Sequence, residues 1–157
     1  MIAIQPSKNS FSERWIPYCE EKGIAYKLVD CYANDIIQQL EGCSALLWHH
    51  HHGNQRDIVF ARQLLFALEQ SGMKVFPDFN TSWHFDDKLG QKYLFESVGA
   101  PLIKSYVFYS KQETEKWLDT TTYPKVFKLR SGAGSVNVKL VRTRSAAQSL
   151  ILSLIHI

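Results

Sequence analysis

Residues 130–135, Arg-Ser-Gly-Ala-Gly-Ser, are the part of the sequence whose residue types best suit a chemical task. The two glycines can adopt positive φ angles, and their small neighbours leave the backbone open to a ligand. Successive N–H groups in such a segment can point at the oxygens of one phosphate. The sequence predicts an anion-binding loop here, and the alternative is an ordinary glycine turn without a ligand. The candidate binding residues of this loop are Ser131, Gly132, Ala133, Gly134 and Ser135.

Two familiar phosphate-binding loops do not fit this segment. A Walker loop requires a Gly-Lys pair followed by serine or threonine, and the sequence contains no Gly-Lys pair. A dinucleotide fingerprint requires a third glycine at position 137, where Asn137 stands, and it opens a helix, whereas the residues after Ser135 alternate like a strand. The loop is therefore expected between two strands.

The elements that would position the loop are two alternating apolar runs. Val126 and Lys128 share one face of the first run, and Phe127 and Leu129 share the other. The second run, Val136 to Val141, alternates apolar residues with Asn137 and Lys139, which predicts an antiparallel β-hairpin. Burying an unpaired ammonium costs several kcal/mol, so Lys128 on such a strand is expected to reach out beneath the loop to an anion.

A second lysine, Lys88, lies in the first turn of a predicted helix. Asp86 is the expected N-cap, and Gly99 with the following Ala-Pro ends the helix. Its apolar face comprises Leu89, Tyr93, Leu94 and Val98. A lysine in a first turn is unfavourable to the helix dipole but well placed beside a bound anion. The alternative is a solvated surface lysine.

Residues 85–101, F-D-D-K-L-G-Q-K-Y-L-F-E-S-V-G-A-P, and residues 124–141, P-K-V-F-K-L-R-S-G-A-G-S-V-N-V-K-L-V, together resemble the ATP-grasp superfamily. In that family ATP lies between two α+β subdomains, and the lysine of a D-K pair and a lysine in the strand before a glycine loop contact the nucleotide. The resemblance, which covers roughly residues 85 to 151, implies these roles for Lys88 and Lys128. ATP and Mg²⁺ are the cofactors it implies, with the Mg²⁺ ligands expected in a second subdomain.

The first half of the sequence alternates strands and helices, which predicts an α/β fold with a parallel sheet. The four expected strands are Ile2–Ile4, Ala25–Val29, Ala45–Trp48 and Met73–Phe76. The expected helices begin at Ser10, with Pro17 either kinking the helix or lying in its first turn, at Asp35, and before Ile58. The third helix has an apolar stripe at helical spacing, formed by Ile58, Ala61, Leu65 and Leu68. Residues 1–80 are thus expected to form a Rossmann-like, pre-ATP-grasp domain, and residues 81–157 an α+β first ATP-grasp subdomain with the glycine-loop hairpin.

Ligands of open parallel sheets gather beyond the carboxyl ends of the strands. Three loops are expected at that edge, namely Ser7–Ser10, the histidine run His49–His52, and Phe79–Thr81. Consecutive residues of an extended chain point to opposite sides, so the four histidines cannot all bind one ion. A polar loop that shapes a substrate pocket, a loop without function and a metal site remain open for them, and no metal ligand is assigned.

The second half carries three further predicted elements. Ser105 to Tyr109 has the pattern of a strand, and Ser110 with Glu113 has the spacing of a helix cap. A last helix is expected from about Thr143.

Composition narrows the class of protein. Of the 157 residues, 45% are hydrophobic and 21% charged, as in an ordinary globular protein, and the N-terminus lacks the features of a signal peptide. The protein is expected in the cytoplasm, with neither a membrane nor a nucleic-acid partner, since a net charge of +3 with scattered basic residues does not favour nucleic acid. The three cysteines have no metal-binding spacing and are expected to be reduced thiols.

The resemblance implies an ATP-dependent ligase similar to carboxylate-amine ligases, which form an acyl phosphate that an amine attacks. Its partners would be ATP and a carboxylate of unknown identity. The second subdomain is missing and residues 152–157 end the chain on apolar side chains, so a truncated and inactive fragment is expected, with no catalytic residue assigned. The alternative is a non-catalytic module that binds a nucleotide or a partner. A reading frame that continues with Asp, Glu and Asn on paired strands would favour the ligase, and a stop codon after Ile157 the module.

Overall fold

The computed structural model describes residues 1–51, 53–130 and 137–154 of the chain. The chain divides into two compact units, Met1–Phe85 and Asp86–Ile157. In the described ranges, no helix has both the length and the hydropathy that crossing a bilayer requires.

The first unit is built on a four-stranded parallel sheet. Its strands are β1 (Ile2–Ile4), β2 (Tyr26–Leu28), β3 (Ala45–Leu47) and β4 (Lys74–Phe76). They lie in the order β2-β1-β3-β4, and Ile2 of the central strand is in register with Tyr26 on one side and Ala45 on the other. The predicted parallel sheet is confirmed, although β2, β3 and β4 are each shorter than predicted. All four carboxyl ends lie at one edge.

Within the described part of the first unit, four helices accompany this sheet. They are α1 (Ser12–Lys22), α2 (Ile36–Gln39), α3 (Gln55–Gln70) and α4 (Phe79–Ser82). The apolar stripe of α3 was predicted correctly, because Ala61, Leu65 and Leu68 are all buried against the sheet residues Ala3 and Leu46. The short helix α4 was not predicted, since Phe79–Thr81 was expected to be a loop.

The start of α1 differs from the prediction. Ser10 is not the N-cap, because the helix begins two residues later, after Phe11. The Ser10 hydroxyl instead accepts a hydrogen bond from the Ser12 N–H at 3.1 Å, and the Glu13 carboxylate accepts one from the Asn9 N–H at 3.2 Å. Pro17 lies inside α1 as its sixth residue, beyond the first turn.

In its described residues, 86–130 and 137–154, the second unit has three helices and a two-stranded sheet. Its elements are α5 (Lys88–Ser97), α6 (Lys111–Thr120), β5 (Lys125–Phe127), β6 (Lys139–Val141) and α7 (Arg144–Leu154). The two strands are antiparallel, with Val126 opposite Leu140, so the predicted pairing of the two runs is confirmed. Leu118, Val141 and Ala147 form the buried centre of the unit. As predicted, Ser110 caps α6, its hydroxyl accepting from the Glu113 N–H at 3.1 Å.

Two predictions for this unit are wrong. Ser105–Tyr109 is not a strand, and within the described residues it pairs with no other strand. Its alternation reflects ring packing instead, because Tyr106 and Phe108 both contact Trp117, at centroid distances of 5.0 and 5.1 Å. Lys128 does not lie within a strand, since β5 ends at Phe127, and its side chain is exposed, so no buried ammonium needs to be explained.

Candidate phosphate-binding site

Helix α5 begins at Lys88, and the residue that caps it is Asp87. The Asp87 Oδ1 atom accepts hydrogen bonds from the N–H groups of Leu89 and Gly90, both at 3.0 Å. The predicted N-cap, Asp86, is wrong by one residue. Asp86 has a φ of 57°, outside the extended conformation that an N-cap adopts, and its carboxylate faces the Lys88 ammonium.

The second contact of Asp87 reaches residue 130, immediately before the glycine-rich segment. The Arg130 guanidinium donates from Nε and Nη2 to Asp87 Oδ2, at 3.1 and 2.8 Å. The main chain makes a parallel contact, because the Lys88 N–H donates to the Arg130 carbonyl at 2.9 Å. These contacts bring together the two sequence regions that were predicted to form one site, although neither Asp87 nor Arg130 was among the predicted residues.

Asp87 is an ionised carboxylate in a buried position. Burial by itself raises the pKa of Asp87, but the Arg130 hydrogen bonds and charge and the N–H groups of Gly90 and Leu89 outweigh it and lower the pKa to about 2. The same ion pair raises the pKa of Arg130. Both groups are therefore fully charged at neutral pH, and their contact is a charge-assisted, two-pronged hydrogen bond.

The Lys88 ammonium has a carboxylate partner in the protein. Its Nζ atom donates to Asp86 Oδ1 at 2.5 Å and lies 3.4 Å from the Asp86 carbonyl oxygen. A third of the Lys88 side chain remains exposed, so an anion can approach it from solvent. Such an anion would compete with Asp86 for the ammonium.

The second predicted lysine, Lys128, has an exposed side chain two residues before Arg130. The other predicted binding residues, Ser131 to Ser135, lie outside the described part of the chain. The contact between residues 88 and 130 thus contains two ion pairs, Lys88 with Asp86 and Arg130 with Asp87.

The main-chain donors at the start of α5 are already occupied. The N–H groups of Lys88, Leu89 and Gly90 donate to Arg130 and Asp87. A phosphate therefore cannot use them without displacing Asp87, as it would at an open helix N-terminus. Anion recognition at the start of α5 must therefore come from side chains.

The carboxyl edge of the parallel sheet carries a separate polar cluster that was not predicted. Its centre is Asp57, which is buried in the first turn of α3. The Asp57 carboxylate accepts hydrogen bonds from the Tyr32 hydroxyl, from the His51 N–H at 2.5 Å and from Asn54 Nδ2 at 2.8 Å. Burial, and then the hydrogen bond to Asp57, raise the pKa of Tyr32. The only sequence signal was that Asn54 and Asp57 have the spacing of a helix cap.

The histidine run follows β3 as predicted, and its described members are held by packing. The His49 ring stacks on Phe11 with a centroid distance of 4.0 Å, and His49 Nδ1 accepts from the Phe11 N–H at 3.2 Å. Burial, and then the neighbouring His51, lower the pKa of His49. His52 lies outside the described residues. Within residues 1–51, 53–130 and 137–154, no three His, Cys, Asp or Glu side chains converge on one metal position.

No protein-family model matches the sequence, and no curated protein sequence matches it significantly. Solved structures do match. They include N5-carboxyaminoimidazole ribonucleotide synthetase from Thermus thermophilus, with 16% identity and a TM-score of 0.68 over 96% of this chain. A RimK domain protein ATP-grasp from Sphaerobacter thermophilus has 18% identity and a TM-score of 0.70 over 99% of this chain.

A third match is the biotin carboxylase domain of 2-oxoglutarate carboxylase from Hydrogenobacter thermophilus, solved in complex with MgADP, ADP and bicarbonate. It has 14% identity and a TM-score of 0.69 over 97% of this chain. The chain spans 43%, 58% and 40% of the lengths of these three proteins, respectively. At such identities the likeness concerns the fold.

Proposed function

We propose that this chain, which has the fold of ATP-grasp proteins, holds the phosphates of ATP for an ATP-dependent ligase. Lys88 and Lys128 are the described residues that would contact the phosphates, together with the N–H groups of Ser131, Gly132, Ala133, Gly134 and Ser135. The observation that carries this proposal is the contact between Lys88 and Arg130, 2.9 Å from N–H to carbonyl. It supports one shared site for the two lysine motifs, which lie 40 residues apart in sequence.

The chemistry expected of such a site is positioning and charge neutralisation. Phosphoryl transfer depends on cations that hold the nucleotide in line with the acceptor and offset the charge on its oxygens. In a carboxylate-amine ligase, the acceptor is a carboxylate oxygen, and an amine then displaces phosphate from the acyl phosphate. The two ammonium groups would hold the triphosphate, and the substrate groups would bind elsewhere in the enzyme.

The described residues fit a phosphate group better than a metal ion. Asp86 and Asp87 are committed to Lys88 and Arg130, and the described part of the chain has no convergent set of three metal-binding side chains. Mg²⁺ is commonly held by one or two carboxylates and the substrate phosphates, and it supplies charge neutralisation during phosphoryl transfer. Its protein ligands are expected in a second ATP-grasp subdomain, so this chain alone is expected to lack ligase activity.

Replacement of the candidate lysines tests the proposal. Lys128→Ala and Lys128→Met each remove one charge-assisted phosphate contact and should weaken ATP binding by about 1.5 to 3 kcal/mol. Because Lys128 is exposed, neither change should unfold the protein. The measurement is an ATP titration followed by calorimetry or by amide NMR shifts, which also report weak binding.

Lys116→Met provides the matched control, because Lys116 is an exposed lysine of the same unit on α6. It should leave ATP affinity unchanged. If both Lys128 variants bind ATP as tightly as the Lys116→Met protein, Lys128 is a solvated surface residue and the nucleotide assignment loses its main support.

A further inference from the structure

We propose that Asp87 and Arg130 form a positioning pair that fixes the two lysines of the nucleotide site relative to each other. This inference rests on the proposed function of Lys88 and Lys128. It adds two residues that were not among the predicted binding residues, and it gives them a task other than contact with the nucleotide.

The Asp87 carboxylate both caps α5 and binds Arg130. It accepts hydrogen bonds from the N–H groups of Leu89 and Gly90, which fixes the start of α5 and with it the position of Lys88. The same carboxylate also accepts hydrogen bonds from the Arg130 guanidinium, which fixes the position of residue 130 at the end of the segment that follows β5. Lys128 lies within this segment, so its backbone is held between the strand end at Phe127 and the contact at Arg130.

The two ends of the pair differ in burial, and that difference argues against a purely structural role. Asp87 is 8% exposed, whereas the Arg130 side chain is 65% exposed. An ion pair with one exposed partner adds little stability, because solvent and salt screen it. A two-pronged guanidinium–carboxylate contact nevertheless restricts geometry closely. Binding sites need such supporting contacts, because small displacements of the groups that bind the ligand weaken ligand binding.

A direct role of Arg130 in phosphate binding makes the opposite prediction for Asp87. If Arg130 itself bound the phosphate, removing the charge of Asp87 would release the guanidinium and leave ATP affinity unchanged or higher. If the pair positions the lysines, loss of Asp87 and loss of Arg130 should weaken ATP binding to the same extent. Loss of both should then be no worse than loss of one, since residues that act as a unit are non-additive.

The experiment compares Asp87→Asn, Arg130→Gln and the double variant. Asparagine caps helices as well as aspartate does, so Asp87→Asn keeps the start of α5 while removing the charge. Each single variant should weaken ATP binding roughly tenfold, the order seen when supporting contacts of a ligating group are removed, and the double variant should match them. Arg130→Lys, which keeps the charge without the fork, should fall between wild type and Arg130→Gln.

A second ion pair of the same unit serves as the matched control. Arg144 and Asp119 are joined at 2.5 Å, both side chains are about half exposed, and they lie at the start of α7 and in α6. Asp119→Asn and Arg144→Gln should leave ATP affinity unchanged. Thermal unfolding of every variant separates loss of fold from loss of affinity, and Arg130→Gln, at an exposed side chain, keeps the test possible if Asp87→Asn does not fold.

The outcomes separate this inference from the proposed function. If Lys88→Met and Lys128→Met weaken ATP binding while Asp87→Asn and Arg130→Gln bind like wild type, the positioning role is overturned and the nucleotide site stands. An affinity that rises in Asp87→Asn and falls in Arg130→Gln overturns it in favour of direct contact by Arg130. If the wild-type chain shows no ATP-dependent NMR shifts, the nucleotide site and the positioning pair are both overturned.

Discussion

Asp87 accepts charge-assisted hydrogen bonds from Leu89, Gly90 and Arg130, and its ionisation affects how stability depends on pH. Its pKa of about 2 in the folded protein lies below the value of about 3.9 expected in the unfolded chain. The folded state therefore holds the carboxylate more favourably than the unfolded state. This contribution is fully present above about pH 4 and is lost as the pH falls towards 2.

The pH dependence of unfolding can be predicted from this shift. At neutral pH, Asp87→Asn should lower the free energy of unfolding by less than about 2 kcal/mol, because asparagine keeps the cap of α5 and solvent screens the exposed Arg130. Urea denaturation at a series of pH values should show the gap between wild type and variant closing between about pH 4 and pH 2, because wild-type Asp87 becomes protonated. A gap of constant size down to pH 2 would contradict an ionised, paired Asp87.

At the scale of elements, α1 contains a proline that destabilises the helix. Pro17 lies in the helix interior, where proline cannot donate the hydrogen bond to the carbonyl four residues earlier and its ring crowds that carbonyl. The residue is exposed, so its ring contributes little to the core. The helix forms nonetheless, because Ser12 and Cys19 are buried and Gly23 ends it with a φ of 62°.

Pro17→Ala should therefore stabilise the protein. The expected gain is about 1 to 3 kcal/mol, since alanine restores one backbone hydrogen bond and removes the clash. Glu21→Ala, at an exposed position of the same helix, is the control for a surface change; it removes only an exposed ion pair with Lys22 and should shift stability by only a few tenths of a kcal/mol. A lower unfolding midpoint for Pro17→Ala in urea would show that the proline is needed to shape this end of the unit.

The elements also show which kinds of sequence signal were sufficient. The stripe of α3 and the cap of α6 were predicted because each depends on residues within a few positions of one another. The choice of Asp87 over Asp86 was not predictable in this way, since it depends on Arg130, 43 residues away. For the same reason the alternation of Ser105–Tyr109 was misread. Whether such a segment becomes a strand depends on a partner strand that its own sequence does not specify.

At the scale of the whole molecule, the parallel sheet and the pairing of the two hairpin strands were both predicted, and solved ATP-grasp structures at 14–18% identity share the fold. The second unit exposes several large apolar side chains. Val126 and Leu140, which face each other across the hairpin, are 55% and 53% exposed, and Ile103 is 92% exposed. Surfaces of this kind favour association.

The chain by itself should therefore self-associate as its concentration rises. Light scattering should report a rising mean mass, more strongly in sulfate, which strengthens the burial of apolar surface. The double variant Val126→Thr and Leu140→Thr keeps β-branched or strand-compatible side chains while reducing the apolar area, and it should shift association to higher concentration. A wild-type protein that stays monomeric at high concentration would contradict this prediction.

The direction of the strands determines from which side the first unit can be immobilised on a surface without covering the carboxyl edge of its sheet. The chain starts at the edge where β1 begins, with the Met1 carbonyl accepting from the Ser44 N–H at 2.9 Å just before β3. The loops with His49 and with Asp30 to Tyr32 follow the other ends of the strands. A linker that immobilises the protein on a sensor surface through Met1 would therefore leave the sheet on the side away from these loops. Ligands screened against that edge would meet it unobstructed by the attachment.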